Sequence, residues 1–168
     1  WRAGEKSYDH HERSFKLQLC SEFAKVFGAF PPYSVERLRE GALRLLHLEN
    51  IGVRSDFAFL HSTEIVRLRE WLRHEDDEKL WKAFSVLYSS ADDRERLSLF
   101  VGTITECLER RESNRRVTPP ILTFWLAYRD PESEVFFKPR STSEFYQRYG
   151  KTAPSPSDGV VERYLRFR

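Results

Sequence analysis

The sequence predicts a mainly α protein: an irregular multi-helix bundle with at most a minor two-stranded β element. Apolar residues recur at three- and four-residue steps through most of the chain, the period of a helix with one buried face. Capping and stopping residues, such as Ser34, Asp92, Gly28 and Gly150, punctuate those stretches. The composition, 40% hydrophobic and 32% charged over 168 residues, suits one soluble domain able to bury a substantial core. Five to seven helices, packed orthogonally or irregularly, are expected.

Residues 1–11 (WRAGEKSYDHH) read as a polar, disordered or tag-like end, and residues 12–168 as a single helical domain. From Glu12 to Phe27, the residues Phe15, Leu19, Phe23 and Val26 mark an amphipathic helix that Gly28 stops. After a rigid Pro31-Pro32 connector, Ser34 caps a second helix carrying Val35, Leu38, Ala42, Leu45 and Leu46 to about Asn50. Ile51–Leu60 reads either as a short strand or as a loop followed by a turn of helix.

Ser62 or Thr63 caps a third helix whose face is Ile65, Leu68, Trp71 and Leu72, and His74–Asp77 breaks it. Leu80, Phe84, Leu87 and Tyr88 line a fourth. Asp92 or Asp93 caps a fifth, with Leu97, Phe100, Val101, Ile104 and Leu108 as its stripe. Pro119-Pro120 suits the first turn of a short apolar helix to Tyr128, because the missing N–H groups are unpaired there anyway. Asp130–Ser133 is a turn and Glu134–Lys138 the best strand candidate; it is expected to pair with Gly52–Phe59 in a minor hairpin. Ser141 and Glu144 match a capping box for a helix through Tyr149 that Gly150 ends, and Val160–Phe167 begins a last helix.

The absence of methionine, position 1 included, predicts a module taken from a longer protein. With no apolar run of membrane-spanning length and no signal-peptide pattern, no membrane partner and a cytoplasmic location are expected. Cys20 and Cys107 fall among apolar neighbours in helices and read as reduced, buried thiols.

No pattern of residues carries a reaction. His10 and His11 are adjacent and lack the spacing to converge on an ion, while His47, His61 and His74 stand apart near helix ends, so no metal is expected. The carboxylates Asp76-Asp77-Glu78 and Asp92-Asp93 lie at helix starts, where negative charge answers the helix dipole. Asp130, Glu134 and Lys138 invite comparison with metal-dependent nucleases, but three residues, not one, separate the acid from the lysine. There is no glycine-rich phosphate loop. The chain is therefore expected to have no catalytic residues and no cofactor.

Charge is more informative. Net charge is only +2, yet residues 1–109 carry 16 basic and 19 acidic side chains, and residues 110–168 carry 12 and 7. Of the 28 basic residues 21 are arginine, the side chain suited to bidentate contact with phosphate. Arg110, Arg111, Arg115, Arg116, Lys138, Arg140, Arg148 and Lys151 form the candidate nucleic-acid-binding set, with Tyr146 and Tyr149 placed to stack on bases. The alternative is a helix end whose arginines answer its dipole, followed by a solvated loop.

The run Phe124-Trp125-Leu126, Asp130-Pro131, Phe136-Phe137-Lys138-Pro139, the helix Phe145–Gly150 and Tyr164 resembles a segment of bacterial restriction and defence proteins. In McrB-like proteins it often precedes an AAA+ motor. The resemblance covers about fifty residues and implies a non-catalytic accessory module. Its expected partners are DNA and an AAA+ motor or another domain of the same system. The alternatives are a protein–protein scaffold that docks through the aromatic block 121–137, and a metal-dependent nuclease.

Overall fold

The computed structural model describes residues 6–27, 34–53, 59–89, 91–111, 116–129, 139–155 and 157–167. Among them the chain forms eight helices and no strand: α1 (Lys6–Phe27), α2 (Val35–Val53), α3 (Ser62–His74), α4 (Asp77–Leu87), α5 (Asp93–Arg110), α6 (Pro119–Arg129), α7 (Pro139–Arg148) and α8 (Val160–Phe167). The mainly α bundle expected from the periodicity is what forms, with one helix more than the upper expectation.

α1, α2 and α3 run alternately up and down, each packed on the next. The α1–α2 contact is unusually close because glycines stand at both ends of it. A Cβ on Gly41 would lie 2.5 and 2.6 Å from the two γ carbons of Val26, and one on Gly52 would fall within 2.7 Å of the Phe15 ring. Both pairs are eleven residues apart on their helices, which fixes an antiparallel register over three turns. α2 and α3 are joined by Arg39, whose guanidinium donates to the Leu72 and Glu75 carbonyls and pairs with Asp77, and by Arg69, which donates to the Leu46 carbonyl. α4 and α5 form a second antiparallel hairpin. Buried Arg96 of α5 donates to the Leu87 carbonyl at 2.6 Å and pairs with Asp93, so a cation closes the negative end of α4.

The core is aromatic. Phe23 and Phe27 of α1, Trp71 of α3, Phe84 of α4, Phe100 of α5 and Trp125 of α6 are drawn into one cluster, with Tyr88, the C-cap of α4, packed against it. Phe84 sits at its centre, with ring centroids at 5.2 Å from Phe27, 5.5 Å from Trp71, 5.5 Å from Phe100 and 5.2 Å from Trp125. Most of these pairs are tilted or edge-to-face, the arrangement the ring quadrupole favours. α6 is buried on nearly its whole circumference, from Pro119 to Leu126 and again at Tyr128, because α1, α3 and α8 cover it. α8 lies across α5 and α6, holding Tyr164 in the core.

Several element boundaries differ from the expectation. α1 starts at Lys6 rather than Glu12, since a nucleated helix extends at the cost of one residue's freedom per added hydrogen bond. The strand expected from Gly52 is absent at its start: Gly52 and Val53 complete α2, and Gly52 closes on Phe15. Residues 54–58 and the partner strand Glu134–Lys138 lie outside the described residues. Buried Glu49 accepts the N–H groups of Phe59 and, at 2.7 Å, Leu60, so its carboxylate holds the chain where it re-enters the core. The N-cap of α3 is His61, one residue before the expected Ser62; its N–H donates to Glu64 at 2.8 Å. α7 begins at Pro139, which places Ser141 inside the helix rather than at its cap; proline's fixed φ suits a first helical turn. Asp92 is an N-cap as expected, and Asp76, read from the sequence only as helix-start charge, caps α4 in the same way, each accepting two backbone N–H groups. No helix among the described residues is long and apolar enough to cross a membrane.

Candidate nucleic-acid interface

The eight basic residues singled out from the sequence meet different fates. Arg115 and Lys138 lie outside the described residues. Arg140 stands in the first turn of α7. Arg110, in the last turn of α5, is committed to the fold: its Nη2 lies 2.7 Å from Oε1 of Glu75, whose side chain is wholly enclosed. Hydrogen bonding to Glu75, and then its charge, raises the Arg110 pKa further. The neighbouring Cys107 thiol is pushed up by burial and then by the same carboxylate. Drawing Arg110 onto a phosphate would leave the Glu75 charge unanswered in the interior, which is costly. Arg110 is best understood as a structural cation.

Arg111 is the C-cap residue of α5 and is exposed. Arg116 is exposed as well, its carbonyl accepting from Arg67 of α3 at 2.9 Å. Next to it, Thr118 donates to the Glu64 carboxylate at 2.5 Å, which pins the approach to α6 against the start of α3.

The remaining pair, Arg148 and Lys151, is built into the end of α7. Gly150 takes φ 62°, the left-handed conformation that glycine adopts without Cβ strain. Its N–H donates to the Gln147 carbonyl at 3.2 Å and the Lys151 N–H to Tyr146 at 2.9 Å, the paired bonds of a Schellman C-cap. The expected stop at Gly150 is thus realised, and Lys151 is turned back beside the last helical turn. Tyr146 is 8% exposed and its hydroxyl donates to the Arg166 carbonyl of α8 at 3.0 Å. Phe145 and Tyr149, 47% and 61% exposed, stand one turn apart on the other side with ring centroids 4.7 Å apart. Among the described residues no carboxylate pairs with Arg111, Arg116, Arg148 or Lys151.

Tyr146, expected to stack on bases, is therefore an anchor; Phe145, not singled out, takes the exposed place beside Tyr149. On a helix Phe145 and Tyr149 share a face because four residues separate them. That signal is in the sequence, but it does not say which of three neighbouring aromatics turns inward.

The aromatic block expected to dock a partner is interior for its described half: Phe124 and Trp125 are fully buried. Asp130 and Glu134 of the nuclease alternative lie outside the described residues. Among the described residues no group of His, Cys, Asp and Glu is placed to hold a metal ion. Both cysteines are free thiols, Cys107 buried and Cys20 half-buried. A shallow groove of about 200 Å³ along Ser62, Thr63, Val66 and Arg67 offers one cation and little else. Comparison with protein-family models, with characterised proteins and with solved structures found no match.

Proposed function

We propose that this chain is a non-catalytic helical accessory module that contacts DNA, in a bacterial restriction or defence system of the kind its C-terminal third resembles. The observation that carries the contact is the end of α7, where exposed Phe145 and Tyr149 sit beside Arg148 and Lys151, cations with no carboxylate partner among the described residues. Arg111 and Arg116 supply further exposed guanidinium groups near the end of α5. Coupling to an AAA+ motor rests on the resemblance. No reacting group is assigned, because no pattern of residues in the sequence supports one.

Cations that meet phosphates release counterions, so the affinity depends on salt in a way that a neutral protein contact does not. A mobility-shift or anisotropy titration between about 50 mM and about 200 mM salt measures this directly. The expected result is binding that weakens steeply with salt, and a slope reduced by roughly two contacts in the Arg148→Ala/Lys151→Ala double variant. Absence of binding at low salt, or an unchanged slope in the double variant together with a double variant at Arg111 and Arg116, sinks the reading. In that event the exposed α7 face becomes a protein-docking surface.

A further inference from the structure

We infer that the groove along the start of α3 holds a phosphate and the adjoining sugar of a bound DNA strand, with Arg67 and Arg116 as the phosphate contacts. The inference rests on the DNA-contact reading and adds a second contact site, remote in sequence from the end of α7.

Three bonds tie the chain between α5 and α6 along α3. At the far end of α3, Arg110 holds Glu75 at 2.7 Å. At its start, Thr118 donates to Glu64 at 2.5 Å, and Nη1 of Arg67 donates to the Arg116 carbonyl at 2.9 Å. Arg116, exposed and without a carboxylate partner among the described residues, is thereby held next to Arg67. The groove's own lining has one cation, and this segment brings it a second. Arg67 uses Nη1 on the Arg116 carbonyl, and its Nε is enclosed; Nη2 forms no bond within the described residues and is left for an anion. A guanidinium oriented in advance by a carbonyl loses little side-chain freedom when it meets a phosphate.

The helix start supplies the other donors. The Glu64 and Ile65 N–H groups are taken by the His61 carbonyl. Those of Ser62 and Thr63 have no partner among the described residues and, like other first-turn N–H groups, point out of the helix. Both residues line the groove, which encloses about 200 Å³, and both are exposed. Exposed Val66 makes the remaining wall largely apolar. A free inorganic anion gains nothing from that wall, whereas the sugar beside a backbone phosphate does.

Two carboxylates of α3 are nearby. Glu64 is turned inward, onto Thr118 and the His61 N–H. Glu70 lies about one turn beyond Arg67, away from the helix start. The groove therefore sets two guanidinium groups against one inward-facing carboxylate.

The test is fluorescence anisotropy of the full chain with a labelled DNA duplex of about 15 base pairs and, separately, one of its strands, between about 50 mM and about 200 mM salt. Arg67→Ala and Arg116→Ala are each expected to weaken binding by about 3- to 10-fold and to lower the salt slope by about one contact. Thr63→Glu separates contact from folding. A carboxylate in the first turn favours the helix, and four residues before Arg67 it pairs with that side chain. The unfolding midpoint of Thr63→Glu is expected to hold or rise, while DNA binding weakens at least as much as in the alanine variants. If binding responds to the Arg148→Ala/Lys151→Ala pair but to none of these three changes, the groove is overturned and the phosphate-contact reading stands. Weaker binding in Arg67→Ala with Thr63→Glu unchanged also overturns it, because Arg67 then acts only by holding the segment at Arg116. Binding to neither oligonucleotide overturns both.

Discussion

Substituting Gly41 by alanine sets two effects of known sign against each other. In an exposed helix interior the change stabilises by about 1 kcal/mol, because alanine is the better helix former. At this site the new methyl meets both γ carbons of Val26, at 2.5 and 2.6 Å, where carbon atoms rest at about 3.5–4.0 Å. Rotation of Val26 brings no relief: both methyls face the glycine and a β-branched residue in a helix holds essentially one χ1 rotamer. The α1 and α2 axes must therefore separate by about 1 Å at this point, and overpacking of this kind costs about 1–3 kcal/mol. The clash exceeds the propensity gain, and a net loss of about 1 kcal/mol is expected.

A double-mutant cycle isolates the contact. With Val26→Ala the γ carbons are gone and the nearest atom is the Cβ at 3.1 Å, a tight contact that small shifts accommodate. In that background Gly41→Ala should become neutral or stabilising, giving a coupling of about 1–3 kcal/mol. Urea unfolding followed by circular dichroism, with slopes compared to confirm a shared unfolded state, supplies the four free energies. If Gly41→Ala has the same effect in both backgrounds to within about 0.5 kcal/mol, the close approach of α1 to α2 is not present in solution. Gly52 and Phe15, about 16 Å away along the helices, form an independent second cycle with the same expected sign.

Phe84→Ala removes the ring that touches four other helices' aromatics and should cost about 3–5 kcal/mol, lowering the melting temperature by roughly 6–20 °C; Phe84→Leu, in the same melt, should lose well under half of that. Asp92→Ala deletes the α5 N-cap and should cost about 1 kcal/mol in urea unfolding, whereas Asp93→Ala, one residue inside the helix, should cost less, because it removes a part-exposed ion pair with Arg96 and no cap. The phenols of Tyr88 and Tyr128 are pushed up by burial, Tyr128 also by the Glu49 charge. Their neutral forms are thus favoured in the folded state, stability is complete below the unfolded phenol pKa of about 10, and it falls above it by about 1.4 kcal/mol per pH unit for each phenol. Unfolding free energies taken between about pH 9 and about pH 11 should fall less steeply for Tyr128→Phe, by about one proton's worth.

The helices were legible because buried faces repeat at helical spacing and because Ser34 and Asp92 cap two of the starts. Leu19 and Phe23, Leu45 and Leu46, Leu68 and Trp71, and Phe100 and Ile104 were all recognisable as core and are fully enclosed. What the one-dimensional pattern obscured were matters of tertiary pairing. Gly52 looks like a helix breaker until Phe15 stands opposite it. Glu49 looks like a surface residue until the chain at Phe59 and Leu60 returns to meet it. Arg110 belongs to a row of arginines that suggests phosphate contact, and only the buried Glu75, thirty-five residues away in sequence, shows that its charge is already answered.

The same reasoning separates the proposed contact surface from the core. A residue whose loss destabilises the fold is a poor probe of binding, and Arg110 is one of these, since its partner Glu75 is enclosed. The end of α7 differs. Among the described residues α7 forms no broad interface with another helix, and Tyr146 supplies its tie to α8 through one hydroxyl and a buried ring. Its shape is set locally by the Gly150 C-cap, which needs nothing from the bundle. Arg148, Tyr149 and Lys151, all exposed, can therefore be changed without disturbing the aromatic core around Phe84. Tyr146→Phe gives the complementary test: it removes the hydroxyl bond to Arg166 while leaving the exposed rings and cations in place. If that bond orients α7, DNA affinity should fall several-fold while the unfolding free energy shifts by no more than a hydrogen bond's worth, about 1 kcal/mol. Unchanged affinity would mean that α7 presents its rings without needing the α8 tether.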